Sequence, residues 1–253
     1  MGQKGNKIRL DEILLRLNLV PSLARAKAFI LAGQVLVNEQ KLDKPGSLVQ
    51  ETDVIRIKSR PFVSRGGEKL RNVIDDLNLS EIFKTAIVLD VGASTGGFTD
   101  CCLKLGAEKV IALDIGKNQL HWSLRQDLRV IDLSQTDIRE FDAAKYPKIN
   151  IVVADVSFNR FENFLSAIVD ATASSEEVHY LLLVKPQFEL NQAKVPKGGI
   201  VKDAELRQAA IDQAHTCFKS AGLSPGKFLD ARPKGRFGNA EVFYYFFRSK
   251  KIV

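Results

Sequence analysis

Val88-Leu89-Asp90-Val91-Gly92-Ala93-Ser94-Thr95-Gly96-Gly97-Phe98-Thr99 decides the fold of this chain. An apolar run ends in an acid, a glycine-rich bend follows, and a helix start comes next. A strand buried on both faces of a parallel sheet reads as such a continuous apolar run. Glycines at 92, 96 and 97 let the backbone approach a ligand without side-chain clash. The Gly92-x3-Gly96-Gly97 spacing differs from the Gly-x-Gly-x-x-Gly of dinucleotide binders, and no Gly-Lys-Ser/Thr follows as in a phosphate loop. The segment reads as a strand-to-helix turn that holds a nucleoside-type cofactor.

Working outward, strands are predicted near 86–91, 109–114, 129–133, 149–155, 179–185, 227–232 and 241–248, and helices near 66–78, 98–105, 160–171 and 203–221. Alternation of this kind predicts a doubly wound α/β sheet. In an open parallel sheet the ligand lies beyond the carboxyl ends of the strands, so polar residues there are the candidates. Asp114 ends the run Val110-Ile111-Ala112-Leu113, where a carboxylate can accept both hydroxyls of a ribose. Asp137 follows the third strand and is placed to meet an adenine amino group, with Asp132 as a competitor. Lys69 lies at the start of the first helix of this region, Asp155 ends Ile151-Val152-Val153-Ala154, Lys185 ends Tyr180-Leu181-Leu182-Leu183-Val184, and Glu241 opens an aromatic strand. A lysine closing a five-residue apolar strand is partly desolvated, which disfavours its charged form, while nearby carboxylates favour it.

The first quarter has a different character. Residues 1–66 carry 12 Lys+Arg against 6 Asp+Glu, a net +6, whereas the other 187 residues hold 25 against 24. That asymmetry points to a polyanionic partner for the N-terminal region. Helical spacing of Leu10, Ile13, Leu14 and Leu17 predicts an amphipathic helix over Leu10 to Val20, and Ser22 is a predicted N-cap for Leu23 to Leu31, with Gly33 as its left-handed stop. Short strands are predicted at 35–38 and 54–57 around the turn-rich Asp43-Lys44-Pro45-Gly46. Arg9, Arg16, Arg25, Lys27 and Lys41 are the candidate nucleic-acid contacts. Residues 1–59 are read as one domain, 60–65 (with Arg60-Pro61-Phe62-Val63) as a stiff linker, and 66–253 as the second domain.

Hydrophobic content of 45% and charged content of 26% are those of a globular protein. The N-terminal Gly-Gln-Lys-Gly-Asn-Lys lacks the apolar core of a secretion signal, and no apolar stretch reaches membrane-spanning length, so a cytoplasmic protein is expected. Cys101, Cys102 and Cys217 have neither disulfide-framework nor zinc spacing, and His121, His179 and His215 are scattered; no metal site is expected.

Asp90 with the Gly92–Thr99 loop resembles the first motif of S-adenosylmethionine-dependent methyltransferases, particularly the TlyA and FtsJ-like RNA group. Residues 7–59, with Arg9-Leu10-Asp11, Ser22-x-x-Arg25-Ala26 and Gly33-x-Val35-x-Val37-Asn38 in register, resemble the small RNA-binding module named after ribosomal protein S-four. Lys69, Asp155, Lys185 and Glu241 match in order and context the Lys-Asp-Lys-Glu tetrad of FtsJ-like 2′-O-ribose methyltransferases, including the TlyA (haemolysin A) family. The resemblance implies a Rossmann-like methyltransferase sheet of seven strands with the last antiparallel, joined to a small α+β RNA-binding domain. It implies S-adenosylmethionine held by Asp90, Gly92, Ala93, Ser94, Thr95, Gly96, Gly97, Phe98, Thr99, Asp114 and Asp137. It further implies ribosomal RNA or ribosomal subunits as partner, with cytidine as the modified nucleotide.

Methyl transfer from a sulfonium to a ribose hydroxyl is an in-line displacement that needs no metal. Lys185 either accepts the hydroxyl proton or stabilises the developing alkoxide; the sequence leaves both open. Asp155 would orient Lys185, while Lys69 and Glu241 would position the ribose. Base amino methylation is disfavoured because Asp155-Val156-Ser157-Phe158 lacks the Pro-Pro of that chemistry, and carbon-5 methylation because the cysteines fall inside predicted helices. A membrane-damaging haemolysin finds no physical support in the sequence, and a catalytically silent RNA-binding protein is the alternative reading.

Overall fold

A computed structural model describes residues 7–57, 61–224, 226–235 and 238–250. The chain divides into two compact units, Met1–Arg60 and Pro61–Val253.

In the first unit, β1 (Lys7–Arg9) leads directly into α1 (Leu10–Arg16), followed by α2 (Leu23–Leu31), β2 (Val35–Val37), β3 (Gln40–Leu42), β4 (Leu48–Gln50) and β5 (Ile55–Ile57). Strands β3, β2 and β5 form one antiparallel sheet, and β1 pairs with β4 in another. Leu10, Ile13 and Leu14 pack with Ala26, Ile30 and Val35 in the core. Helix α1 is shorter than the apolar spacing predicts. It stops at Arg16 because Asn18 turns into the left-handed region at φ 54°, which leaves Leu17 and Leu19 largely exposed. Ser22 caps α2 as expected, accepting from the Arg25 N–H at 3.3 Å. Three strands escape the sequence reading, because three-residue segments with exposed faces carry too little alternation to be seen.

The second unit contains α3 (Arg65–Asp76), β6 (Ile87–Val91), α4 (Gly97–Lys104), β7 (Lys109–Asp114), α5 (Trp122–Arg125), β8 (Val130–Ser134), β9 (Ile151–Ala154), α6 (Leu165–Ala171), β10 (Glu177–Val184), α7 (Pro186–Glu189), α8 (Ala204–Ser220), β11 (Lys227–Asp230) and β12 (Val242–Ser249). Its seven strands run in the order β11-β12-β10-β9-β6-β7-β8, with β12 antiparallel to both neighbours. Leu89, Val152, Leu182 and Tyr244 bury one face against Ile168 and Phe218. Val88, Val153, Leu181 and Phe243 bury the other against Leu70, Phe98, Cys101 and Cys102. Burial on both faces is why these strands read as unbroken apolar runs. The helix expected over 160–171 is split by Phe164 at φ −144°, leaving a 3-10 turn at Phe161–Asn163 ahead of α6.

The stretch before α3 is fastened to α4. The Val63 N–H donates to Asp100 Oδ2 at 2.9 Å, and Lys104 Nζ donates to the Pro61 carbonyl at 2.6 Å. Arg60, the first residue of the expected linker, lies outside the described residues.

Two loop glycines serve approaches between chain segments. Gly92, at φ 80°, lies where a Cβ would come 2.9 Å from the Asp155 carbonyl oxygen. A Cβ on Gly97 would lie 2.1 Å from Ser64 Oγ and 2.8 Å from the Gly67 nitrogen, so α4 and α3 cross with nothing between their backbones. Ser64 can rotate away; the Gly67 backbone cannot. Gly97→Ala is therefore expected to cost about 1–3 kcal/mol of stability, read as a lower urea midpoint at unchanged slope. An unchanged midpoint would contradict this packing.

Candidate active site

Strand register sets the site. Val184 pairs with Val242, Leu182 with Ala154, Val91 with Ala154 and with Leu113, and Asp114 with Ser134. The next residues along these strands, Glu241, Lys185, Asp155 and Gly92, therefore line up with Asp114 along one edge of the sheet. A one-residue slip in any pairing would throw a side chain to the opposite face.

Two lysine–carboxylate pairs form at this edge. Lys69, in the first turns of α3, donates to Glu241; both side chains are buried, at 9% and 4% exposure. Gly235 is packed so closely on Glu241 that no side chain would fit between them. Lys185 Nζ lies 2.5 Å from Asp155 Oδ1, yet its aligned hydrogen bond goes to Ser157 Oγ at 2.7 Å. Asp155 Oδ1 is thus buried beside a cation without an aligned donor of its own. The structure joins the four residues as two pairs, Lys69 with Glu241 and Lys185 with Asp155.

A cavity of about 650 Å³ opens at the carboxyl edge, and Gly92, Ser94, Asp114, Asp137 and Asp155 are among its walls. Its lining includes three carboxylates and no Lys or Arg. Asp114 is fixed there by the Ser94 N–H at 2.8 Å and the Gly116 N–H at 2.7 Å. Asp137 takes the Arg139 guanidinium at 2.6 Å, which holds its carboxyl below the usual carboxylate range. Asp132, the competitor, does not line the cavity and bonds Ser134 instead.

The other loop candidates sit behind this wall. Ala93, Gly96, Gly97, Phe98 and Thr99 are buried in the protein and do not line the cavity; Thr95 is exposed and accepts the His121 N–H at 3.1 Å through its carbonyl. Asp90 is fully buried, accepts Thr99 Oγ1 at 2.6 Å through Oδ2, and leaves Oδ1 without a partner. Burial is the main cause that pushes its carboxyl up to about 7, with the Thr99 hydroxyl opposing and Asp155 adding to the rise.

Sequence reasoning missed Phe158. It takes a left-handed φ of 64°, is 90% exposed, and leans over Phe188 with ring centroids 5.1 Å apart. An aromatic residue in that backbone region is strained, and nothing in the residue order signals it.

In the N-terminal unit the candidate cations divide. Arg9 forks onto buried Asp11 through bonds of 3.0 and 2.8 Å, and Arg16 pairs with Glu51. Arg25 lies 5.7 Å over the Phe29 ring, and among the described residues Arg25, Lys27 and Lys41 form no ion pair with a carboxylate.

The FtsJ-like methyltransferase family model matches residues 62–248. The chain belongs to that family. An S4 domain model matches residues 8–55 of this methyltransferase. It is 36% identical to the 16S/23S rRNA (cytidine-2′-O)-methyltransferase TlyA of Mycobacterium tuberculosis, across 95% of this chain and 90% of that protein. It is 35% identical to Hemolysin A of Brachyspira hyodysenteriae, across 94% and 99%. Among solved structures, a Streptococcus thermophilus protein described as a hemolysin superposes with a TM-score of 0.71 at 31% identity, across 96% and 89% of the two chains. These relatives place the methyltransferase in the TlyA/haemolysin A group. Among the described residues, no helix is long and apolar enough to cross a membrane.

The Asp90 carboxyl gives a pH-dependent prediction. In the unfolded chain it ionises near 3.8, in the folded protein near 7, so the cost of burying its charge is absent at acid pH, grows between these values, and levels off above 7. Asp90→Asn removes that cost. Its Tm relative to the wild type is expected to rise from pH 4 to pH 8; a Tm difference that does not change with pH would contradict the buried, protonated carboxyl.

Proposed function

We propose that this methyltransferase moves a methyl group from S-adenosylmethionine to the ribose 2′-hydroxyl of a cytidine in ribosomal RNA, in the cytoplasm. The observation that carries the reading is Lys185, held between Asp155 and Ser157 at the rim of a cavity walled by carboxylates. The names of its TlyA relatives support the same reaction.

The cavity fits the cofactor chemically. Of its three carboxylates, Asp137 is paired with Arg139 and Asp155 with Lys185, while Asp114 has no ion pair among the described residues; that uncompensated charge suits a positively charged nucleoside and disfavours the phosphates of a dinucleotide. Asp114, already rigid on two backbone N–H groups, would accept ribose hydroxyls, and Asp137 would meet the adenine amino group. The bound cofactor supplies an activated sulfonium methyl. Everything else falls to the side chains.

Lys185 meets the incoming 2′-hydroxyl and either takes its proton or holds the oxygen as charge develops. Asp155 keeps the ammonium group at the rim, and Ser157 fixes its direction. The Lys69–Glu241 pair ties α3 to the head of β12, so the edge bearing Lys185 does not shift under the substrate. Losing one member of a buried pair costs about 3–5 kcal/mol, so both positions support the site's structure as well as its charge pattern. The basic N-terminal unit would grip structured RNA through phosphates, the contact that A-form helices make available.

Lys185→Ala is expected to lower the rate of methyl transfer by roughly two to four orders of magnitude, while calorimetry shows cofactor and RNA binding largely intact. RNA with a deoxyribose at the modified position should bind and accept no methyl group. Methylation of that deoxy RNA, or near-normal turnover by Lys185→Ala, would contradict the ribose assignment.

A further inference from the structure

A second cavity, about 620 Å³, lies across the 156–159 loop from the first, and Phe158 and Asn159 line both. Its chemistry is different. The residues of its walls include Phe158 and Phe188, the amide residues Asn159, Asn163, Gln187, Asn191 and Gln192, one cation, Arg160, and no carboxylate. Stacking faces beside Asn and Gln amides are the surfaces on which proteins take up unpaired bases.

Lys185 stands at the junction of the two cavities. Its Nζ bonds Ser157 Oγ, on the wall of the first, and lies 5.9 Å from the Phe188 ring, on the wall of the second. A nucleotide that brings its 2′-hydroxyl to Lys185, with the cofactor filling the first cavity, has its base on the side of the second.

Among the amides of that wall, Gln187 is set apart. Asn159 Oδ1 already accepts from the Arg160 N–H at 3.0 Å and from Asn163 Nδ2 at 2.7 Å, and Asn191 Oδ1 accepts from the Ala193 N–H at 3.1 Å. Gln187 Oε1 is buried from solvent and has no hydrogen-bond partner among the described residues. A buried acceptor left open is costly, and a donor arriving with the substrate removes the cost. Cytosine presents such a donor in its exocyclic amino group, where uracil presents an oxygen.

We infer that Gln187 selects the target base, its Oε1 accepting a hydrogen bond from the exocyclic amino group of the cytidine whose ribose is methylated. The inference rests on the reaction proposed above, and it gives Gln187 a specificity role distinct from the proton handling of Lys185.

The test uses the full-length enzyme and three RNAs that carry cytidine, pyrimidin-2-one riboside or uridine at the methylated position. The pyrimidinone replaces only the amino group by hydrogen. Wild-type enzyme should methylate the cytidine RNA roughly tenfold to a hundredfold faster than either of the others, the usual penalty for an unpaired buried acceptor. Gln187→Met should lose that factor on cytidine and match the wild type on pyrimidinone, which also shows that the variant is folded. Gln187→Glu, which keeps an acceptor oxygen, should retain the preference. Equal wild-type rates on cytidine and pyrimidinone, a preference for uridine, or undiminished discrimination by Gln187→Met would overturn the inference while leaving the ribose reaction standing. Wild-type failure on all three RNAs would overturn the reaction and the inference together.

Discussion

The in-register pairing of β6, β9, β10 and β12 is the constraint on which the site depends. It brings Gly92, Asp155, Lys185 and Glu241, drawn from four separate stretches of chain, to one edge of a sheet whose body is mostly apolar, with Asp90 as a buried exception in β6. Because side chains alternate along a strand, the polar terminal residues face their task only in this register. The side chains interdigitate with different helices on the two faces, so a slip would break the packing on both.

At that edge, charge is sorted by cavity. The lining of one side has carboxylates and no Lys or Arg, that of the other amide and aromatic residues with a single arginine, and Lys185 stands between them. The first composition suits a cationic nucleoside and the second a neutral base. A methyl donor and its acceptor can therefore approach one ammonium group from opposite sides, with position and alignment contributing much of the acceleration.

Much of this was legible in the residue order. Strands buried on both faces announce themselves as apolar runs, and a charged residue closing such a run, as Asp155 and Lys185 do, is placed by the strand itself. The seven strands agree with that reading, and the antiparallel β12 agrees with what the resemblance to FtsJ-like methyltransferases implies. What escaped it depends on long-range or local geometry that composition does not encode. The pairing of Lys69 with Glu241 joins residues 172 positions apart. The ion pairs of Arg9 with Asp11 and of Arg16 with Glu51 are visible only once the first unit is folded. Phe158 in a left-handed conformation, and Gln187 with an unmet acceptor, are properties of packing around single residues. The sequence reading gives the loop glycines to ligand approach; the structure adds that Gly92, which also lines the cavity, and Gly97 lie against neighbouring backbone.

The central claim is that this edge methylates a ribose oxygen of a cytidine. It is tested most directly by incubating the purified protein with ribosomal RNA from cells lacking the enzyme and isotope-labelled S-adenosylmethionine, then digesting the RNA to nucleosides for mass spectrometry. The account predicts that the label appears in 2′-O-methylcytidine. Label on a base, label on another nucleoside, or RNA that stays unlabelled would contradict it.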